Sequence, residues 1–102
     1  MAKEIRYSAY ARKDLDKIWD YIANDLCNKK AAQDTINGIL KAVDELAEFP
    51  EMGSKLYIAD ILSSRYRYVQ YKNYMAFYRV NKDEILVDRI LYSKRNYLEV
   101  LF

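Results

Sequence analysis

The stretch from Arg65 to Arg95 constrains this chain most, because its residues alternate in the way a sheet demands and leave little choice of register. It reads RYRYVQY, KN, YMAFYRV, NKDE, ILVDRIL and YSKR. Aromatic and β-branched residues fill three runs and polar pairs interrupt them, which predicts three consecutive strands joined by two tight turns. A turn at Lys72-Asn73 sets Gln70 opposite Met75 and Arg67 opposite Tyr78. A second turn, over Asn81 to Glu84, sets Val80 opposite Ile85 and Tyr78 opposite Val87. Side chains alternate in direction along a strand, so these registers sort the residues onto two faces. One face gathers Arg65, Arg67, Tyr74, Tyr78, Val87 and Arg89; the other gathers Met75, Phe77, Leu86 and Ile90. Both are mixed. Burial of the Phe77, Met75, Leu86 and Ile90 face is the expectation, and it leaves the face with three arginines partly open.

What precedes this stretch reads as one short strand and two helices. Lys3 to Tyr7 is the candidate strand, and the hydroxyl of Ser8 can accept from the first free backbone N–H groups of a helix. Leu15, Ile18, Trp19, Ile22 and Leu26 then recur at the spacing of one helical face. A second amphipathic helix starts after Asn28 and carries Ala32, Ile36, Ile39, Leu40, Val43 and Leu46 on its apolar side. With so short a break, the two helices form an antiparallel hairpin. Pro50 and Gly53 mark the exit FPEMG, which reads as the end of a helix and not as a site. Ser54 to Ser64 reads as a longer connection whose apolar residues pack against a sheet edge.

The expected fold class is therefore α+β: an N-terminal strand, an antiparallel two-helix hairpin, and a three-stranded antiparallel meander completing one antiparallel sheet, followed by a short C-terminal tail. A chain of 102 residues is long enough for a single core, so residues 1–102 are read as one domain.

Absences narrow the chemistry. The chain has no histidine and one cysteine, Cys27, so serine-histidine and cysteine-histidine hydrolysis are excluded and neither a metal site nor a cofactor is expected. Its two glycines, Gly38 and Gly53, make no phosphate-cradling loop. No apolar run approaches the roughly 20 residues that cross a bilayer, and the start MAKEIRYSAYARKDLD is too charged for a signal peptide, so a cytoplasmic address away from membranes is expected. Charge is uneven. Through Ser63 there are 9 Lys/Arg against 11 Asp/Glu, and from Ser64 onward 8 against 4. The positive half coincides with the sheet and favours an acidic or phosphate-bearing partner there.

The residues that can meet such a partner are Arg65, Arg67 and Arg89. Guanidinium groups hold phosphate through paired hydrogen bonds, and Tyr74 or Tyr78 can stack on a base. The competing reading is that these arginines pair with local acids or cover apolar surface. Arg79 lies diagonally across from Asp88, within reach of an ordinary cross-strand ion pair. Lys94, Arg95 and Tyr97 follow the last strand; a cation and a phenol there can stabilise a phosphorane and move a proton in RNA cleavage if the phenol's pKa is lowered.

DLDKIWDYI (Asp14 to Ile22), FPEMG (Phe49 to Gly53), YRYVQYKNYMAFYRV (Tyr66 to Val80) and RILYSKRNYLEVLF (Arg89 to Phe102) occur in one order across almost the whole chain. Together they resemble the RelE/ParE superfamily of bacterial toxins from type II toxin-antitoxin modules, and the spelling is nearer the ParE-like kind. The resemblance implies a helical hairpin on a sheet, a role in growth inhibition and plasmid stabilisation, and a cognate antitoxin whose acidic, partly disordered segment neutralises the toxin. ParE-like members act on DNA gyrase. In that case Arg65, Arg67, Arg89, Lys94, Arg95 and the C-terminal segment are the expected contacts. RelE-like members instead cut mRNA on the ribosome; Lys94, Arg95, Tyr74 and Tyr97 would then be the catalytic candidates, although Tyr74 stands where those toxins carry an arginine. A non-toxic, complex-forming relative is the third implied reading.

Overall fold

The computed structural model describes residues 2–58 and 62–92, with backbone alone for 55–58 and 62–65. The elements run β1 (Glu4–Tyr7), α1 (Ala9–Asp20), α2 (Lys29–Asp44), β2 (Ser54–Ile58), β3 (Leu62–Tyr71), β4 (Tyr74–Val80) and β5 (Glu84–Tyr92). Among the described residues one sheet holds the five strands in the order β1-β5-β4-β3-β2. Among the described residues no helix is long and apolar enough to cross a membrane.

The helix boundaries follow from their caps. Ser8 Oγ accepts from Ala11 N at 3.0 Å and Asn28 Oδ1 accepts from Ala31 N at 3.0 Å, each satisfying a backbone donor that a first helical turn leaves free. Between the helices the chain makes a π turn over Tyr21–Asp25, in which Leu26 N donates to Tyr21 O at 2.9 Å. The wider turn breaks the three-four spacing. Ile22 and Ala23 are buried beside Ala32 of α2, while Leu26, expected on the apolar face, is exposed. Gly38 sits in the middle of α2, where glycine ordinarily costs about 1 kcal/mol. The ring of Tyr71 occupies the place a Cβ would take there.

The meander keeps its expected registers: Arg67 opposite Tyr78, Gln70 opposite Met75, Val80 opposite Ile85 and Tyr78 opposite Val87. Three other expectations require correction. First, the sheet is mixed and not wholly antiparallel. β1 runs parallel to β5, with Ile5 beside Ile85 and Tyr7 beside Val87. Both helices and β2–β4 intervene in the chain between β1 and β5, so no tight turn fixes their relative direction, and alternation of side chains carries no record of strand polarity. Second, the segment read as a connection contributes a strand: β2 pairs antiparallel with β3, Ser54 opposite Tyr68 and Ile58 opposite Leu62, with a bulge between Lys55 and Tyr57.

The third correction concerns the buried face. The helices cover Ala76, Tyr78, Ile85, Val87 and Ile90, packed with Ala11, Ile39, Val43 and Leu46. The Met75 and Phe77 side of β4 forms a separate cluster with Tyr66, Tyr68 and Leu91. A bulge causes part of the difference. Pairing between β4 and β5 slips between Phe77 and Tyr78, so Arg89 stands opposite Phe77 and Ile90 opposite Ala76. One extra residue, Asp88, exchanges the two faces from there on. It carries Ile90 into the helix-side core and takes Arg89 out of line with Arg67.

Candidate functional site

Two arginines expected on one open face are each bound within the protein, in different ways. Arg89 meets Asp14 of α1: Nε donates to Oδ2 at 2.7 Å and Nη2 to Oδ1 at 2.9 Å, while the backbone N of Ile90 also donates to Oδ2 at 2.9 Å. Asp14 is 6 % exposed, and its carboxylate closes the part of β5 beyond Val87, the last residue β1 pairs with. The Arg89 guanidinium lies 5.6 Å from the ring centre of Tyr10. The hydrogen bonds to Asp14 hold its pKa above the usual arginine value, with burial pulling the other way. The competing sequence reading, pairing with a local acid, describes Arg89 in this state.

Arg67 has neutral partners. Its Nη1 donates to the carbonyls of Glu51 at 3.2 Å and Gly53 at 3.0 Å. Beside it the buried Tyr78 hydroxyl donates to Pro50 O at 2.8 Å and accepts from Gly53 N at 3.1 Å. Sheet side chains thus pin the FPEMG exit from below. No carboxylate pairs with Arg67 among the described residues. The cross-strand pair expected of Arg79 is present, Nε to Asp88 Oδ2 at 2.7 Å.

Arg65 lies in β3 with its side chain outside the described set, and Lys94, Arg95 and Tyr97 are outside the described residues altogether. Tyr74 is placed clearly. It lines a cleft of about 450 Å³ between the C-terminal end of α1 and the end of the β4–β5 pair where Tyr74 stands opposite Tyr92, together with Lys17, Ile18 and Tyr21. The Tyr74 and Tyr92 rings meet edge to face, with centres 5.3 Å apart and planes at 77°, as aromatic quadrupoles prefer. Burial, and then the neighbouring Tyr92 and Tyr21 phenols, raise the pKa of Tyr74. A phenol shifted in that direction is a poor proton acceptor near neutral pH. The cleft is therefore better suited to holding a partner than to moving protons. Lys17 makes no ion pair among the described residues and supplies a cation at the side of the aromatic walls.

Asp14, Lys17 and Tyr21 were not among the sequence candidates. Their signal is spacing: Tyr10, Asp14, Lys17 and Tyr21 follow one another at steps of four, three and four, so they share a flank of α1. Asp14 also falls in step with the apolar Ala11, Ile18 and Ile22. A lone acid on an apolar stripe is a sign of a buried pair.

The fold is shared with solved toxin-antitoxin proteins. A chain from the structure titled "Chromosomal ParDE TA system from P. aeruginosa" superimposes with a TM-score of 0.74 at 21% identity, covering 91% of this chain and 98% of that one. A chain from "The crystal structure of the toxin-antitoxin complex RelBE2" from Mycobacterium tuberculosis does so at 0.61 and 16% identity, covering 90% and 99%. Residues 5–97 match the family described as "ParE toxin of type II toxin-antitoxin system, parDE". The chain belongs to that family. No curated protein matches it in sequence.

Proposed function

We propose that this chain is a ParE-like toxin that arrests growth by binding DNA gyrase, and that a cognate antitoxin neutralises it with an acidic segment. The observation that carries the reading is the family match over residues 5–97. The site chemistry agrees with binding more than with catalysis: Tyr74 replaces the arginine of RelE-like nucleases and has a raised pKa, while Arg67 and Arg89 already serve internal bonds. Arg65, Lys94 and Arg95 remain proposed target contacts. The antitoxin's place is the Lys17, Tyr21, Tyr74 and Tyr92 cleft, where an apolar or aromatic anchor meets ring faces and an adjacent carboxylate meets Lys17.

Purified toxin should block supercoiling by gyrase and leave translated mRNA uncut in primer extension. Undisturbed supercoiling, or codon-positioned cuts, would reject the target. The antitoxin encoded beside the gene should bind the double variant Lys17→Glu/Tyr21→Ala about ten-fold or more weakly than wild type, the scale of losing one hot-spot side chain. Unchanged affinity would remove the cleft from the interface.

A further inference from the structure

The loop between α2 and β2 combines two properties that ordinarily exclude each other. It is fixed to the sheet by four hydrogen bonds, three donated by Tyr78 and Arg67 to the carbonyls of Pro50, Glu51 and Gly53 and one donated by Gly53 N to the Tyr78 hydroxyl, and internally by Met52 N to Phe49 O at 3.0 Å. It nevertheless holds two large apolar side chains in water, Phe49 at 61% and Met52 at 48% exposure. A loop free to move would fold such groups down; one pinned through its backbone cannot. Apolar side chains held rigidly outward have little ordering entropy left to lose on binding, which is the property of interface anchors.

The surroundings select the partner. Phe49 lines a cleft of about 340 Å³ with Lys41, Asp44, Glu45 and Glu48, and Met52 lines another of about 350 Å³ with Glu45, Tyr68 and Val69. Glu45 borders both. Asp44, Glu45, Glu48 and Glu51 are exposed, and among the described residues Lys41 is the one cation lining either cleft. We propose that Phe49 and Met52 form a second interaction surface, whose occupant is a basic protein segment in which apolar side chains alternate with Lys or Arg. Apolar residues of the segment fill the two clefts and its cations meet the carboxylates. Like charge disfavours a nucleic-acid backbone or an acidic antitoxin segment here, so this surface and the Lys17 cleft take partners of opposite sign. The proposal does not depend on gyrase being the target.

The test is a titration of the ¹⁵N-labelled full chain with two synthetic ten-residue peptides, one alternating lysine and leucine and one alternating glutamate and leucine. The lysine peptide should move the amide signals of Phe49, Met52 and Glu45 and leave those of Lys17 and Tyr74 in place. Phe49→Ser/Met52→Ser should weaken it about ten-fold or more with an unchanged unfolding midpoint, since both side chains already lie in water. Glu45→Lys/Glu48→Lys, which keeps the apolar anchors, should weaken it too. Equal binding of the glutamate peptide, undiminished binding by either variant, or shifts confined to other residues would overturn the proposal. So would a concentration-dependent dimer that protects Phe49 and Met52, which would assign the surface to a second copy.

Discussion

On either side of β4 an arginine holds a packed element to the sheet, Arg89 from β5 and Arg67 from β3, and the two are held by different physics. On the α1 side, Arg89 is matched by a carboxylate that water hardly reaches, the side chains being 23% and 6% exposed. Both ions are partly desolvated and each depends on the other. On the loop side, Arg67 bonds to two neutral carbonyls, organises a turn, and keeps a charge that no acid cancels among the described residues. Two residues of one type, grouped by a simple alternation argument, thus stand at opposite extremes. One is a structural ion, and the other is a scaffold for a loop that presents apolar groups outward.

The largest effect expected from this contrast lies at Asp14. Asp14→Ala leaves the Arg89 guanidinium and the Ile90 N–H without their acceptor and should cost about 3–5 kcal/mol, as breaking buried pairs does. Replacing both partners, Asp14→Leu/Arg89→Leu, should recover most of that loss, because no charge is then stranded. Urea unfolding at neutral pH measures both. A double variant as unstable as Asp14→Ala alone would mean that the residues contribute shape and not ionic matching.

A smaller effect is expected on the other side. Arg67→Ala removes two hydrogen bonds to neutral acceptors, one exposed and one part-buried, and should cost about 1–2 kcal/mol. Its clearer signature is local: amide exchange at Gly53 and Met52 should quicken while that at Ile90 holds. If Arg67→Ala proves as costly as Asp14→Ala, the distinction drawn between carboxylate-paired and carbonyl-paired arginine fails.

The parts of this fold that sequence made legible are those governed by short-range rules. The Lys72-Asn73 turn determines the β3–β4 register, Ser8 marks a helix start, and the Arg79–Asp88 pair follows from a diagonal neighbour rule. The parts that stayed hidden depend on contacts distant in the chain. Nothing between Val87 and Ile90 announces a bulge, since no glycine breaks the run, and strict extrapolation by twos therefore put Arg89 in line with Arg67 and Ile90 on the wrong face. The polarity of β1 against β5 depends on how both helices and β2–β4 return the chain. The arginine site was half visible for the same reason: residue types could be read, but the partners that occupy them, Asp14 on α1 and the carbonyls of Glu51 and Gly53, are set by packing.

Tyr7 supplies the finest probe, because its polar group is served by neither of the two arrangements. Its hydroxyl is buried with no hydrogen-bond partner among the described residues, and burial, followed by the nearby Asp44, pushes its pKa from 10.0 up to about 12. Tyr7→Phe deletes an unsatisfied oxygen and keeps the ring, so at neutral pH it should stabilise the protein by about 1 kcal/mol. The pH dependence has a definite sign. A pKa higher in the folded chain than in the unfolded one means that the neutral phenol favours folding; its contribution is complete below pH 10 and disappears as pH rises through about 12. The advantage of Tyr7→Phe over wild type should therefore widen across that window in urea titrations run at successive pH values. A constant difference would show that water reaches the Tyr7 oxygen and leaves its pKa unraised, and a narrowing one that a donor or cation stabilises its phenolate; either would mean that the junction between β1 and the end of α2 is as well satisfied as the two arginine sites.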